Sequence, residues 1–489
     1  MYSYLKPVGL VILFLLISQT VLSEIELPDL GNPSDIYMSK IEEPAIGRAY
    51  FRSLRSQKQV VEDSLLTEYI QNLGEKLSSK VQSGDFDFNY FLVPQNSINA
   101  FAIPGGFIGI HTGLCINADN ESQLASVLSH EISHVTQRHI SRQIGDQVPN
   151  SIQGGLVLLG AVLLSAVTGS GEILEAGASI VPSLLAQGQI DFTREMEIEA
   201  DAIGIKTMGL SGYDPYAMAD FFNKLSTGDD PRYAASVEFL RTHPTSVNRA
   251  SSAKKQARKI DVDLIEESLG FELARARIRY LFGNTPEKTF TYFNNKTKNL
   301  DLNMPLSKRS IGELYGFALS SIDLGYLDQA ESILKKLSKE YAEFGHFHIA
   351  YMNLLIAKGM TRESISYIAE RVHLSPRNIP ITLAYAETEL NYGSPKKSHE
   401  ILLDLFNNIP PTPPQIKLIA NSANRAGDIA DSFSYMAEYY LSLGNFKEAT
   451  EQLKIALSLN SLTKIQASRF MARLIEIEEY MQEMKRANK

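Results

Sequence analysis

Two stretches in the first third of the chain repeat apolar residues every three or four positions, the period of an amphipathic helix. The first runs from 59 to 81 and the second from 121 to about 140. Asp119 or Asn120 can cap the second helix, because a short polar side chain accepts a hydrogen bond from the first turn. The predicted apolar faces carry Val61, Leu65, Leu66, Ile70, Leu73 and Leu77 in the first helix, and Leu124, Val127, Leu128 and Ile132 in the second.

Two short runs of β-type residues lie between these helices, at 86–93 and 100–114. The second run is interrupted by Pro104, Gly105 and Gly106, which are residue types that form turns. We therefore expect a small antiparallel sheet. Together with the flanking helices, it predicts an α+β fold for the first domain, which we place at 24–270.

The last part of the chain has a repeat. Glycines followed five positions later by alanine or serine occur at Gly325, Gly359, Gly393 and Gly444. Their spacings are 34, 34 and 51 residues, and 34 is the period of the helical tetratricopeptide repeat (TPR), while 51 is one and a half periods. We predict linking helices at 271–310, then an all-α TPR solenoid at 311–489 with about four repeats and an irregular helical insert near 415–426.

The N-terminal segment has the pattern of a secretory signal peptide. Lys6 precedes an apolar run from Val8 to Ile17, and Val21 and Ser23 occupy the −3 and −1 positions of a cleavage site. The run is shorter than the roughly 20 residues that span a bilayer, which disfavours an uncleaved anchor. We expect residues 1–23 to direct export and to be removed.

A second apolar run lies at 154–167, between the two segments that carry the candidate chemistry. It is also too short for a comfortable transmembrane helix. We expect a helical hairpin that is either buried or forms a lid over the cleft, and the alternative is a peripheral contact with a membrane surface.

The composition narrows the class of protein. With 44% hydrophobic and 21% charged residues, the chain is a globular protein rather than a disordered or polytopic membrane protein. Its net charge of −9, from 47 basic and 56 acidic residues, argues against nucleic acid as a partner, because that binding needs a basic surface. Cys115 is the single cysteine, so an internal disulfide is excluded, and we expect it to be a buried apolar residue.

The candidate chemistry begins with His130-Glu131-Ile132-Ser133-His134, an HExxH sequence on the second predicted helix. Histidines four positions apart lie on one helix face and can bind one metal ion, with Glu131 beside them as a base. A catalytic zinc site uses three protein ligands and leaves one position open. A third ligand is therefore required.

Two nearby candidates for the third ligand fail. The metzincin pattern needs glycine and histidine where this chain has Gln137 and Ile140. On a continuous helix, His139 would lie about 140° from His134, so we expect it to face away and to be structural.

A better third ligand comes from a predicted helix at 191–208. Glu197 and Asp201 are four residues apart and share one face, so Glu197 can bind the metal while Asp201 supports it and orients an imidazole. Glu199 points elsewhere and is expected to be a solvated charge.

His243 lies in the loop-like sequence HPTSVNR, followed by Arg249. Three roles for His243 stay open: it stabilises the developing oxyanion, it occupies the open metal position in a latent enzyme, or it is an ordinary loop histidine. Arg249 is expected to support the site from behind the ligands.

In the sequences LASVLSHEISHVTQRH, EIEAD and NAFAIPGGFIGIHTGL, the chain resembles the gluzincin metallopeptidases of the HtpX and CAAX prenyl protease type. The resemblance implies one zinc ion per chain, held by His130, His134 and Glu197, with Glu131 as the catalytic base. With the signal peptide and the TPR array, it implies quality control in the periplasm, in which the enzyme promotes the assembly of some substrates and degrades stalled ones. The implied clients are unfolded or misassembled outer-membrane proteins, and the implied partner is the β-barrel assembly machinery.

The segment Asn99–Leu114 is expected to provide an edge strand along which an extended substrate pairs, with Asn99, Ala100 and Phe101 in contact with it. Backbone pairing predicts weak sequence specificity. The rival function is a non-proteolytic TPR chaperone or adaptor with a vestigial zinc site. A membrane-embedded prenyl-protein protease lacks support, because the several long apolar helices that it needs are absent from the sequence.

Overall fold

The computed structural model describes residues 43–81, 86–147, 193–227, 239, 243, 247–266, 268–283, 285–460 and 462–487. The predicted signal peptide at 1–23 and the apolar run at 154–167 lie outside these residues. Within the described ranges, no helix combines the length and the apolar character needed to cross a membrane.

The first part of the chain places a sheet among helices. The helices before the sheet are α1 (Glu43–Ser56) and α2 (Ser64–Ser78). The strands are β1 (Asn89–Val93), β2 (Ala100–Ile103) and β3 (Phe107–His111). The helices that follow are α3 (Thr112–Asn117), α4 (Glu121–Thr136), α5 (His139–Gln147), α6 (Arg194–Leu210), α7 (Ala217–Thr227) and α8 (Val247–Ala257). The first predicted helix is present, but it begins after Asp63, whose side chain caps it by accepting from the backbone N–H of Leu66.

The predicted α+β fold is confirmed, but only one of the two strand pairs in the sheet is antiparallel as expected. The strand order is β1-β3-β2, and β2 and β3 form the predicted antiparallel pair. β1 pairs with β3 in parallel, with Asn89 beside Phe107, so the sheet is mixed rather than antiparallel. The chain runs from β1 to the far edge before β3 returns between the two strands. Strand order of this kind is not encoded in the alternation of apolar residues.

The HExxH helix begins as predicted and ends early. Asn120 caps α4 by accepting from the backbone N–H of Gln123 at 3.0 Å. The helix ends at Thr136 rather than near 140, because Arg138 adopts a left-handed φ of 53°, and α5 starts just after it. Arg138 is held there by the buried carboxylate of Glu43, to which its Nε donates at 2.8 Å. This ion pair offsets the cost of a left-handed non-glycine residue.

Over the described part of 268–487, twelve helices follow one another, each in contact with the next. They are α9 (Leu269–Phe282), α10 (Pro286–Thr297), α11 (Lys308–Asp323), α12 (Leu327–Glu340), α13 (Gly345–Ala357), α14 (Thr361–Leu374), α15 (Ile379–Tyr392), α16 (Pro395–Leu405), α17 (Pro413–Ala426), α18 (Ile429–Ser442), α19 (Phe446–Leu457) and α20 (Lys464–Ala487). The all-α solenoid of the prediction is confirmed.

The glycine period marks the turns inside the helix pairs. Gly325 and Gly359 have φ values of 80° and 78°, which glycine adopts without strain, and each separates two packed helices. The expected irregular insert near 415–426 lies in the regular helix α17, which ends on Gly427 at φ 94°. Gly427 is 34 residues after Gly393 (427 − 393), so the period continues through this region.

Helix α9 belongs to two cores. Phe271, Ala274 and Ile278 pack with the apolar residues of α2, α4 and the sheet, which form the core of the first part. Leu269, Leu273 and Ala276 pack with residues of α11 to α13. The solenoid is thus joined to the first part through a shared, buried helix.

Candidate active site

The HExxH residues lie where two helices cross closely. α4 carries His130, Glu131 and His134, and α6 packs against it and carries Glu197. Gly204 permits this approach, because a Cβ atom there would lie 3.2 Å from the backbone nitrogen of His130. All four side chains of the cluster are at most 2% exposed. Burying so many polar groups together is costly unless they bind one another or a ligand.

Four ligand atoms face one another in this cluster. His130 Nε2 lies 2.9 Å from His134 Nε2 and 3.2 Å from His243 Nδ1. Glu197 Oε1 lies 2.9 Å from the same His243 nitrogen and 3.4 Å from His134 Nε2. In a tetrahedral zinc site with bonds of about 2.0–2.1 Å, the ligand atoms are about 3.3 Å apart. The donors and their spacing therefore fit a zinc-sized ion.

Asp201 and Arg249 contact the residues of this cluster from the side away from the ligand atoms. Asp201 Oδ1 lies 3.0 Å from His130 Nδ1. The other ring nitrogen of His130, Nε2, therefore faces the other ligand atoms. Arg249 donates from Nε and Nη2 to the two oxygens of Asp201, each at 2.8 Å. Its Nη1 lies 2.6 Å from Glu197 Oε2. Asp201 thus contacts the imidazole of His130 directly, and Arg249 links Asp201 to Glu197.

Glu131 and His243 face each other beside the ligand atoms. His243 Nε2 lies 3.4 Å from Glu131 Oε1, and the backbone of Ala102 in β2 also hydrogen-bonds to the Glu131 carboxylate. The ring of His243 stacks on Phe239 with centroids 5.0 Å apart, and the residue is 2% exposed. Such burial between two carboxylates argues against an ordinary loop histidine.

Burial and neighbouring charge set the proton affinities of these groups. Burial raises the pKa of the Glu131 carboxyl above its usual value. Burial acts in the same direction on Glu197, but the imidazoles of His243 and His130 outweigh it and lower the pKa of Glu197. Burial lowers the pKa of His134 well below its usual value, so this histidine is neutral, the form that binds metal.

Two residues lie closer to the site than the sequence indicates. Because α4 ends before Arg138, the helical-wheel position of His139 does not apply, and its Nδ1 lies 2.9 Å from His134 Nδ1. The expectation that His139 faces away is wrong. Glu199 is not a free solvated charge either, because its Oε2 lies 3.1 Å from His139 Nε2 and accepts from Arg142 Nη1 at 3.1 Å. Only a prediction of the helix break would have revealed these contacts.

The strand next to the HExxH helix is partly as predicted. β2 is an edge strand among the described residues and packs against α4, whereas β3, which the predicted substrate strand also included, is central. Ala100 begins β2, and Asn99 just before it has a buried side-chain oxygen without a hydrogen-bond partner within the described ranges. Phe101 packs onto the sheet, with its ring over Gly109 and edge-on to Phe91.

Similarity to known proteins assigns the family. Residues 64–257, from the start of α2 to the end of α8, match the model of Peptidase family M48. A relative from Vibrio cholerae is 32% identical over 457 residues, which cover 93% of this chain and 92% of that protein. The Beta-barrel assembly-enhancing protease of Escherichia coli (strain K12) is 31% identical over 470 residues, which cover 94% and 92%. The chain belongs to the family of beta-barrel assembly-enhancing proteases.

The family assignment makes the chain a metallopeptidase, and a more distant relative is also named as one. The Mitochondrial metalloendopeptidase OMA1 of Saccharomyces cerevisiae is 29% identical over 184 residues, which cover 36% of this chain and 48% of that protein. The predicted resemblance to HExxH metallopeptidases and the predicted enzyme class are confirmed. The family implies a metal cofactor, and the cluster of His130, His134, Glu197 and His243 can hold one.

Proposed function

We propose that the protein is a zinc-dependent endopeptidase of the periplasm that acts in the quality control of outer-membrane proteins. The catalytic part rests on one observation: His130 Nε2, His134 Nε2 and Glu197 Oε1 face one another at metal-ligand spacing, with Glu131 beside them. In this proposal the three residues hold one zinc ion. Two imidazoles and one carboxylate are a donor set that zinc favours in catalytic sites.

The reaction is hydrolysis of a peptide bond. When bound, zinc would lower the pKa of a water to about 7 and polarise the substrate carbonyl. Glu131 takes the proton of the attacking water, since its buried carboxylate is adjacent to the ligands. Glu131 then returns the proton to the leaving amine.

The substrate is proposed to bind as an added strand. Within the described ranges no strand pairs with the outer edge of β2, and β2 packs against the helix that carries Glu131, so an extended peptide paired there would pass the reactive residues. In this proposal Ala100 offers backbone groups to the peptide, because in an antiparallel pair the hydrogen-bonding groups of successive residues alternate between the two sides of the strand. The backbone C=O of Asn99 already accepts from the N–H of His111, so Asn99 offers its side chain instead, and Phe101 packs against the sheet. Pairing through the backbone supports broad rather than sequence-specific cleavage.

The biological part of the proposal rests on the relatives and on two features of the chain. The Escherichia coli relative is named for enhancing β-barrel assembly, and the signal-like pattern at 1–23 supports export to the periplasm. Solenoids built from stacked helix pairs generally form concave surfaces that bind peptides or protein partners. We infer that it docks clients or the β-barrel assembly machinery, while the peptidase site degrades misassembled clients.

His243 is proposed to regulate access to the metal. Its Nδ1 is spaced from His130 Nε2 and Glu197 Oε1 like a fourth ligand, which supports the latent-site role over the oxyanion role. A substrate would then have to displace His243, and the free enzyme would be partly inhibited.

Glu131→Gln tests the proposed function. We expect the purified variant to bind zinc like the unaltered protein and to cleave casein at least about 100-fold more slowly, because a general base typically contributes 10²–10⁴-fold. Glu195→Gln is the matched control, since Glu195 is exposed on α6 and should cleave casein normally. Equal cleavage by Glu131→Gln would remove the catalytic assignment. An unaltered protein that binds no zinc, cleaves nothing and still promotes assembly would favour the chaperone or adaptor function.

A further inference from the structure

The two imidazoles of the HExxH motif are supported in different ways. His130 Nδ1 faces a carboxylate oxygen of Asp201 at 3.0 Å. His134 Nδ1 instead faces a second imidazole, His139 Nδ1, at 2.9 Å. The proposed function uses the first contact and leaves the second unexplained.

The direction of the hydrogen bonds follows from the position of the atoms. His134 points Nε2 at the other ligand atoms, so a metal-binding His134 must carry its proton on Nδ1. At the contact with His139, that proton is donated to Nδ1 of His139, which must therefore be unprotonated. His139 must then carry its proton on Nε2, and the acceptor at that atom is Glu199 Oε2 at 3.1 Å. The chain of contacts is consistent with one set of tautomers.

The surroundings hold this arrangement in place. His139 is fully buried, whereas the side chain of Glu199 is 38% exposed and also accepts from Arg142 Nη1. The helix break at Arg138, fixed by Glu43, is what brings His139 beneath His134 rather than onto the opposite face. The contact between His139 and His134 therefore depends on this helix break, because a continuous helix would place His139 on the opposite face.

We infer that His139, held by Glu199, is a positioning residue that fixes the tautomer and ring orientation in which His134 presents Nε2 to the metal. The inference rests on the proposed metal site. Partners of this kind on metal-binding histidines usually contribute a 10- to 100-fold increase in metal affinity.

The test measures the zinc affinity of the full chain by competition with a chromophoric chelator. We expect His139→Phe, which fills the space without an acceptor, to bind zinc about 10- to 100-fold more weakly. His139→Gln, whose amide oxygen can accept from His134, should recover part of that loss. Glu199→Gln should weaken binding about 3- to 10-fold, as a weaker acceptor one ring further away. Glu195→Gln, exposed on the same helix as Glu199, should match the unaltered protein.

Thermal unfolding of the metal-free variants separates positioning from general stability. A positioning role predicts that Glu199→Gln changes zinc affinity and the absorption spectrum of the cobalt-substituted protein while the metal-free melting temperature stays unchanged. Because His139→Phe alters a buried site and can impair folding, the partly exposed Glu199 keeps the test decisive.

Two results would overturn different claims. If the unaltered protein binds one zinc tightly and the folded His139 and Glu199 variants bind within twofold of it, the positioning role is wrong and the metal site stands. If His134→Ala binds zinc as tightly as the unaltered protein, the proposed metal site itself is wrong.

Discussion

The position of His243 favours one of the three roles that the sequence leaves open, that of a fourth metal ligand at rest. His243 is 113 positions from His130 in the sequence, yet its Nδ1 lies 3.2 Å from the Nε2 atom of that histidine. HExxH and Glu197 could be predicted because fixed spacings on helices put their side chains on known faces. No spacing rule connects His243 to them, so the sequence left three roles open.

We predict that His243→Ala cleaves casein about 2- to 10-fold faster, because the competent state no longer competes with the latent one. His399→Ala is a matched control, since His399 lies in α16 and contacts Ser422, far along the chain from the site. The measurement is the initial rate of casein cleavage at equal zinc occupancy. A large fall would instead indicate an oxyanion role, and an unchanged rate would contradict both.

At the scale of elements, the site depends on how closely α4 and α6 approach. The helices and the residues that face each other could be predicted from periodicity and spacing. The end of α4 could not, because it is set by a tertiary ion pair between Arg138 and Glu43 rather than by a helix-breaking residue. The parallel pairing of β1 with β3 was missed for a similar reason, since the order of strands depends on the path of the connection.

Gly204→Val should separate the two helices. Its Cβ would meet the backbone of Ser129 and His130 at 3.2–3.3 Å, and the extra methyl groups need more space than these atoms leave. We expect casein cleavage to be at least about tenfold slower, because a small displacement of catalytic groups from their reactive geometry lowers the rate strongly. Gly325→Ala is the comparison variant, with positive φ and no atom within 4 Å of an added Cβ. It should lose about 1 kcal/mol of stability and keep its activity. Normal cleavage by a folded Gly204→Val would contradict the importance of this crossing.

At the scale of the whole molecule, a polar network joins the peptidase part to the solenoid. Arg277 of α9 donates to Asp63, the cap of α2, at 2.8 and 2.6 Å, and to the hydroxyl of Tyr315 in α11 at 3.0 Å. Leu65 of α2 packs beside this network into an apolar cluster of the solenoid that includes Ile349 and Tyr385. The repeat predicts the solenoid, but nothing in a repeat predicts what it docks against.

Asp63→Asn should destabilise the protein in a pH-dependent way. Burial would raise the pKa of Asp63, but the hydrogen bonds and charge of Arg277 outweigh it and lower that pKa. The stabilisation is therefore present above the unfolded pKa of about 4 and is lost as the pH falls through the lower folded value. We expect the free energy of unfolding to fall by about 2 kcal/mol at pH 7. This is less than the cost of breaking a fully buried ion pair, because the side chains of Asp63 and Arg277 both keep some contact with water.

Urea unfolding measured between pH 3 and 7 checks this prediction, and the asparagine retains the capping function at position 63. The difference between the two proteins should shrink below about pH 4. Asp220→Asn, on the exposed side of α7, should differ from the unaltered protein at no pH. A constant difference at every pH would show that the effect does not come from the Asp63 charge.

In the proposed active site, His130, His134 and Glu197 hold a catalytic zinc ion, and His243 occupies the fourth position at rest. Zinc-edge X-ray absorption of the protein loaded with one equivalent of zinc measures the ligand set directly. We predict four nitrogen or oxygen ligands at about 2.0–2.1 Å, three of them imidazoles, and the loss of one imidazole in His243→Ala. Six oxygen ligands without imidazole scattering, or no bound zinc, would contradict it.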